Sequence, residues 1–190
     1  MHTAVICARS DFFQAACERW KKSKEPVELL EDAPDTFNAY LSCLYMGKLP
    51  PSAGQTPHFA PMLAIYVLAD RICDLQTANF VIDGIIAHSN AWGQLPSFDV
   101  VDIFWSQTAP DSPLRRLLVD FIVYEADEEE FDDRLQDLPA DYLTKVARRL
   151  KSMTEGAKKT KGMIKAPKSL SDMLPCHYHQ RNSWHARVTR

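Results

Sequence analysis

The sequence predicts a mostly helical α/β fold, on three observations. Apolar residues recur at helical spacing in about seven segments. Only one short run, Val27-Glu28-Leu29, alternates in the manner of a strand. Proline and glycine fall between the helical segments rather than inside a repeating strand–turn pattern. A lone strand cannot satisfy its own backbone groups, so either the sheet is rudimentary or its partner strands lie outside this chain.

The elements follow in order. Thr3 to Cys17 is rich in small apolar residues, and Val5, Ala8 and Phe12 recur at helical spacing with Ala16 one turn beyond. Ser10-Asp11 divides this stretch into a helix and a following turn, and Lys21 to Pro26 reads as a charged loop. Glu31-Asp32-Ala33-Pro34-Asp35 opens a helix, with acids near the cap and proline at about the first position. Its apolar face is Phe37, Tyr40, Leu41, Leu44 and Tyr45, and Gly47 is placed to close it in a left-handed conformation. Pro50 to Pro61 is a loop. Two amphipathic helices follow, from about Met62 to Ile72 and then over Leu75, Ala78, Val81, Ile82, Ile85 and Ile86. Trp92 to Pro96 is a connector. Ser97 caps a helix carrying Val100, Val101, Ile103 and Phe104. Asp111-Ser112-Pro113 starts another, with Leu114, Leu117, Leu118, Phe121 and Ile122. Asp127 to Asp133 is a solvated acidic linker. Pro139 opens a last helix with Tyr142, Leu143, Val146 and Leu150 on its face. The expected organisation is a core over 1–90, a helical extension over 91–151, and a basic, flexible tail over 152–190.

Composition narrows the class further. A chain of 190 residues with 46% hydrophobic residues can bury one good core, or one core and a satellite. No stretch approaches the length of uncharged sequence needed to span a bilayer. Arg9 and Asp11 interrupt the first apolar run, which therefore does not read as a signal peptide. Five cysteines (Cys7, Cys17, Cys43, Cys73 and Cys176) make an odd set without close pairing, and four lie in apolar helical patterns. The expectation is a reducing compartment, cytoplasmic or nuclear, with no disulfide framework. The net charge of −3 hides an asymmetry. Residues 151–190 carry nine Lys/Arg against two acids, while the remaining residues carry thirteen against twenty-three. An acidic folded part with a solvated basic tail is the plain reading. Contact with nucleic acid through that tail is the alternative of another class.

Four blocks, in order, resemble the BTB/POZ domain, especially its fungal members. They are His2-Thr3-Ala4-Val5-Ile6-Cys7-Ala8-Arg9-Ser10 with Phe12-Phe13; Val27 and Leu29 with Glu31-Asp32, Pro34 and Phe37; Tyr40-Leu41 with Leu44-Tyr45, Gly47 and Leu49; and Tyr66-Val67-Leu68-Ala69-Asp70 with Asp74-Leu75 and Asn79. Ser112 to Asp120 is similar to the extension that often follows the domain in fungal members. The resemblance covers about residues 2–125. It implies a BTB/POZ-like helical cluster with a small, incomplete sheet and a C-terminal helical extension. It further implies a non-enzymatic module that associates with itself or with other proteins. Some relatives adapt substrates to cullin-3 ubiquitin ligases, and others sit in transcriptional regulators. Three departures stand out. The family's opening β-hairpin has no counterpart before His2. Thr3 stands where many relatives carry a basic residue. Trp20-Lys21-Lys22 stands where cullin-binding relatives place a hydrophobic-x-Glu triplet, and the charge reversal counts against cullin-3.

Candidate sites are few. Trp20, with Lys21 and Lys22, is the expected partner-binding surface, because a large ring at a helix end beside lysines is poorly explained by burial and interfaces favour such anchors. Cys176, His177, His179 and His185 are competent zinc ligands. Cys176 and His177 are adjacent, however, and only His179 to His185 spans a loop, so incidental histidines in a tail are the preferred reading. Coordination shared with a second chain stays open. His2 and His58, with Asp70 or Asp74, offer the elements of general base chemistry. No Ser or Cys sits on a glycine-flanked elbow, and the six glycines form no phosphate-cradling loop. No catalytic residue, cofactor, small-molecule substrate or membrane partner is therefore assigned. Asp70 is read as closing a local hydrogen bond. Lys158, Lys159, Lys161, Lys165 and Lys168 are read as a soluble tail, and Tyr40, Tyr45 and Tyr66 as core residues with wet hydroxyls.

Overall fold

In the computed structural model the described residues are 3–23, 27–29, 32–50, 59–125, 138–159 and 177–180. They are mostly helical. The elements are α1 (Thr3–Arg9), α2 (Asp11–Ser23), α3 (Pro34–Met46), α4 (Phe59–Arg71), α5 (Leu75–Trp92), α6 (Phe98–Ser106), α7 (Pro113–Glu125) and α8 (Ala140–Lys159). Two compact units separate inside α5. One comprises Met1–Ile85 with Gln180–Arg190, the other Ile86–His179. Among the described residues there is no β-strand, and Val27–Leu29 has no regular structure. The alternation expected to make a strand there has no second strand among the described residues to pair with, and a ladder needs two.

The first unit begins with a helical hairpin. Ser10 parts α1 from α2 and is 1% exposed. Its hydroxyl accepts the Phe13 N–H at 3.1 Å, which is the N-cap bond of α2, and donates to the Ile72 carbonyl. The segment expected to turn here is instead a thirteen-residue helix, and Lys21 and Lys22, expected in a loop, lie in its last turn. Across the break the buried positions Ile6, Ser10 and Phe13 keep one helical spacing. Ile6 and Phe13 are buried, whereas Val5, Ala8 and Phe12, expected to share a buried face, are exposed.

Pro34 occupies the first position of α3, and Gly47 ends the helix at φ 59°, its N–H bonded to the Cys43 carbonyl. Ala33, not an acid, is the capping residue, and it makes no side-chain bond. The buried line of α3 is Tyr40 and Cys43, while Tyr45 is 44% exposed. α3 packs on α4, which begins at Phe59, so Pro61 lies in its first turn rather than in a loop. Met62, Leu63, Ile65, Tyr66, Val67, Leu68 and Ala69 are all buried, which makes α4 the apolar centre of this unit. α4 closes in a Schellman turn. The Asp74 N–H reaches the Ala69 carbonyl at 2.8 Å and the Cys73 N–H the Asp70 carbonyl at 3.1 Å. Cys73 takes the left-handed position at φ 58°, usually given to glycine. Leu49 lies so close to α5 at Gly84 that an added Cβ would sit 1.9 Å from its Cδ1.

In the second unit α7 packs on α8. Leu114, Leu117, Leu118, Val119, Phe121 and Ile122 of α7 are buried, with Val101, Phe104 and Trp105 of α6. Ser97 flanks α6 without bonding its backbone through the side chain, whereas Ser112 Oγ accepts the Leu114 N–H at 3.3 Å and does cap α7. Tyr142 and Val146 carry the buried face of α8, and Leu150 is 42% exposed. Arg115, 7% exposed, lies 4.4 Å from the Trp105 ring and bonds Thr108 Oγ1, Asp141 and the Trp105 carbonyl. α8 continues to Lys159, beyond the expected start of the tail at 152.

Residues 177–180 were expected within a flexible tail; Tyr178 is buried, His179 and Gln180 are half-buried, and His177 is exposed. Tyr178 is 0% exposed in the second unit, and its hydroxyl donates to Asp120 at 2.9 Å. Gln180 belongs to the first unit, where Asn79 bonds both its N–H (2.8 Å) and its carbonyl (3.1 Å). A buried aromatic outweighs the polar composition around it.

Candidate partner-docking groove

The site that follows from this packing is a groove in the first unit. Phe13, Cys17 and Trp20 on α2 face Pro34 and Phe37 at the start of α3, with Val27 and Leu29 closing one side, and enclose about 520 Å³. Trp20 is 47% exposed and Val27 38% exposed, so the lining offers apolar area to solvent. Lys21 and Lys22, the other expected site residues, are exposed beside Trp20.

Below the rim the groove becomes a ladder of rings. Phe13 and Phe37 centroids are 6.3 Å apart, and Phe37 stacks on Tyr40 at 5.9 Å. Tyr40 is 0% exposed, and its hydroxyl donates to Asp74 Oδ2 at 3.0 Å. Asp74 is itself fully buried and gathers three more groups: the Thr77 N–H at 3.0 Å, the Thr77 hydroxyl at 2.6 Å, and the Arg9 guanidinium at 3.4 Å. One carboxylate therefore caps α5 and ties α1, α3 and α5 together. Burial, then the Asp74 charge, pushes the Tyr40 hydroxyl well above the usual tyrosine range, so it stays a donor. The hydroxyl expected to be wet is thus internally bonded, and so is that of Tyr66, which accepts from Gln180 Nε2 at 3.2 Å.

Two further features escaped the sequence reading. Asp70 closes its local bond through the backbone carbonyl, to the Cys73 N–H, while its side-chain Oδ1 accepts from Gln180 Nε2 at 2.6 Å, 110 residues away. Cys7 and Cys17 bring their sulfurs within 2.7 Å across the α1–α2 hairpin, although ten residues separate them. Burial and then Cys17 raise the Cys7 thiol to about 11.

Of the zinc candidates, Cys176 and His185 lie outside the described residues. His177 is exposed and packs edge-on against Tyr178, and His179 is half-buried. Among the described residues no three His, Cys, Asp or Glu side chains are grouped to hold a metal ion. His2, His58, the acidic run 127–133 and the lysines 161–168 also lie outside the described residues. Among the described residues no helix is long and apolar enough to cross a membrane.

No protein-family model matches the chain, and no curated protein matches it.

Proposed function

We propose that this chain is a non-enzymatic, BTB/POZ-like interaction module, and that the α2–α3 groove around Trp20 docks a protein partner, a second copy of the chain included. The supporting observation is the half-exposed Trp20 ring on the rim of an apolar groove, with the Lys21 and Lys22 ammonium groups beside it. A large ring left in water beside a preformed recess is the arrangement of an interface anchor. Asp32, the carboxylate in the groove lining, is paired with Arg71 at 3.0 Å, and Asp74 and Tyr40 below it are buried and bonded to one another, which suits a scaffold. The order of the sequence blocks resembling the BTB/POZ family supports the same reading, with a cytoplasmic or nuclear setting.

The experiment compares full-length protein with Trp20→Ala by sedimentation velocity over a concentration series. An anchor of about 2 kcal/mol weakens self-association roughly thirtyfold. The melting temperature stays within about 2 °C of the wild type, since the ring is half in water already. Dissociation unchanged by the substitution, or a fall of ten degrees in melting temperature, overturns the groove assignment. Cullin-3 adaptation is the second reading within this class, and retention of purified cullin-3 by the immobilised chain tests it. Lys22 in place of a glutamate argues against it.

A further inference from the structure

A second cavity, of about 300 Å³, opens in the other unit, lined by α7, α8 and the exposed His177. Lys145, Arg148, Arg149 and Ser152 follow one another at i, i+3, i+4 and i+7, so a single face of α8 supplies four polar groups. Arg115 and Arg116 come from α7. Five Lys/Arg thus meet one carboxylate, Asp120. That carboxylate is already engaged: it is 3% exposed and accepts from Arg149 Nε at 2.7 Å and from Tyr178 at 2.9 Å. Burial opposes the Arg149 charge, and the Asp120 bond outweighs it, so the guanidinium stays protonated. Arg115 is held against Trp105 and Asp141, and Lys145 donates to the Pro110 carbonyl. Arg116 and Arg148 differ from these. Both are exposed and neither has a hydrogen-bond or ion-pair partner among the described residues.

Like charges converging on one small cavity repel, and an anion bound among them relieves that cost. Planar guanidinium groups match phosphate oxygens in pairs, which a point-like ammonium does not. A cavity of this volume is at the lower end of the range for small-molecule sites. We propose that it binds a small, multiply charged phosphate compound. Arg116 and Arg148 are its direct ligands, the Ser152 hydroxyl is a neutral donor, and the Asp120–Arg149 pair is the rigid wall. The assignment stands apart from the groove in the first unit and does not depend on it.

The test is calorimetric titration of the full chain with pyrophosphate at fixed ionic strength. One saturable site is expected. Arg116→Gln and Arg148→Gln each weaken it by at least about tenfold, without lowering the melting temperature of the unliganded protein. Arg148→Lys keeps the charge but loses the fork and recovers only part of the affinity. Lys48→Gln, in the other unit, changes nothing. Heat no larger than that from sulfate at the same ionic strength overturns the proposal, as does full affinity in the double arginine variant. Retention of a single-stranded oligonucleotide by the same arginines, without a saturable pyrophosphate site, overturns it too.

Discussion

Replacing Asp74 with alanine tests whether one buried carboxylate holds the first unit together. In the native structure Asp74 is fully buried and accepts from Tyr40, from two groups of Thr77, and at longer range from Arg9. Removing it strands the Tyr40 hydroxyl, which is 0% exposed, at a cost of about 1–3 kcal/mol for an unpaired buried donor. It also removes the N-cap of α5, worth about 1 kcal/mol. Arg9 adds little, because its side chain is 28% exposed and water replaces the lost partner. The expected loss is about 2–4 kcal/mol. With a urea m-value of about 1–3 kcal/mol/M, a loss of 3 kcal/mol lowers the midpoint by roughly 1–3 M. Asp74→Asn is the decisive companion. Its amide oxygen still caps α5 and accepts from one hydroxyl, so it retains more than half of the stability lost in the alanine variant. Urea unfolding of both, followed by far-ultraviolet circular dichroism, distinguishes the cases. A loss under about 1 kcal/mol in the alanine variant refutes the hub. Equal losses in both variants refute the hydrogen-bond account and leave charge as the cause.

Three other predictions concern a left-handed residue, the buried tyrosines and a pair of cysteines. Cys73 holds a left-handed conformation and is exposed, so Cys73→Gly relieves a strain of about 1 kcal/mol; a lower melting temperature in the variant contradicts this. Burial holds the Tyr40, Tyr142 and Tyr178 hydroxyls above their ordinary value near 10, with Asp74 adding to the effect at Tyr40 and Asp120 at Tyr178. The folded state therefore keeps protons that the unfolded state releases, and its stability is intact below pH 10 and falls as pH rises beyond. Tyrosinate absorbance and circular dichroism should change together above pH 10, and titration of all six tyrosines near pH 10 with the fold intact contradicts the prediction. Finally, glutathione disulfide should oxidise Cys7 and Cys17 to one intrachain bridge. The first thiolate displaces a glutathione and the second resolves the mixed disulfide, so two protein thiols are consumed and two glutathiones released. The reaction should speed up with pH, since the Cys7 thiol sits near 11. Mass mapping that finds both thiols still alkylatable at high pH rules this out.

Local signals in the sequence were enough for helical character, for several boundaries, and for part of the core. Pro34 and Gly47 bracket α3, and Ser112-Pro113 opens α7, because caps act on backbone groups within one turn of themselves. Tyr40 and Tyr66 were legible as core residues from the spacing of their neighbours, and Trp20 stood out as a ring that its helix end does not bury. In α1 and α2 the period was legible but the face was not: Val5, Ala8 and Phe12 share one helical spacing and Ile6, Ser10 and Phe13 another, and the second is the buried one.

What only the tertiary structure decided are the meetings of residues far apart in the chain. Asp74 finds Tyr40 across 34 residues and Arg9 across 65, and Asp120 finds Tyr178 across 58. The groove takes walls from α2, α3 and residues 27–29, and the second cavity brings α7, α8 and His177 together. Hydropathy spacing reports which side of a helix avoids water. It carries no information about which polar atom on another helix that side will meet, since that is fixed by how the helices cross and not by their period.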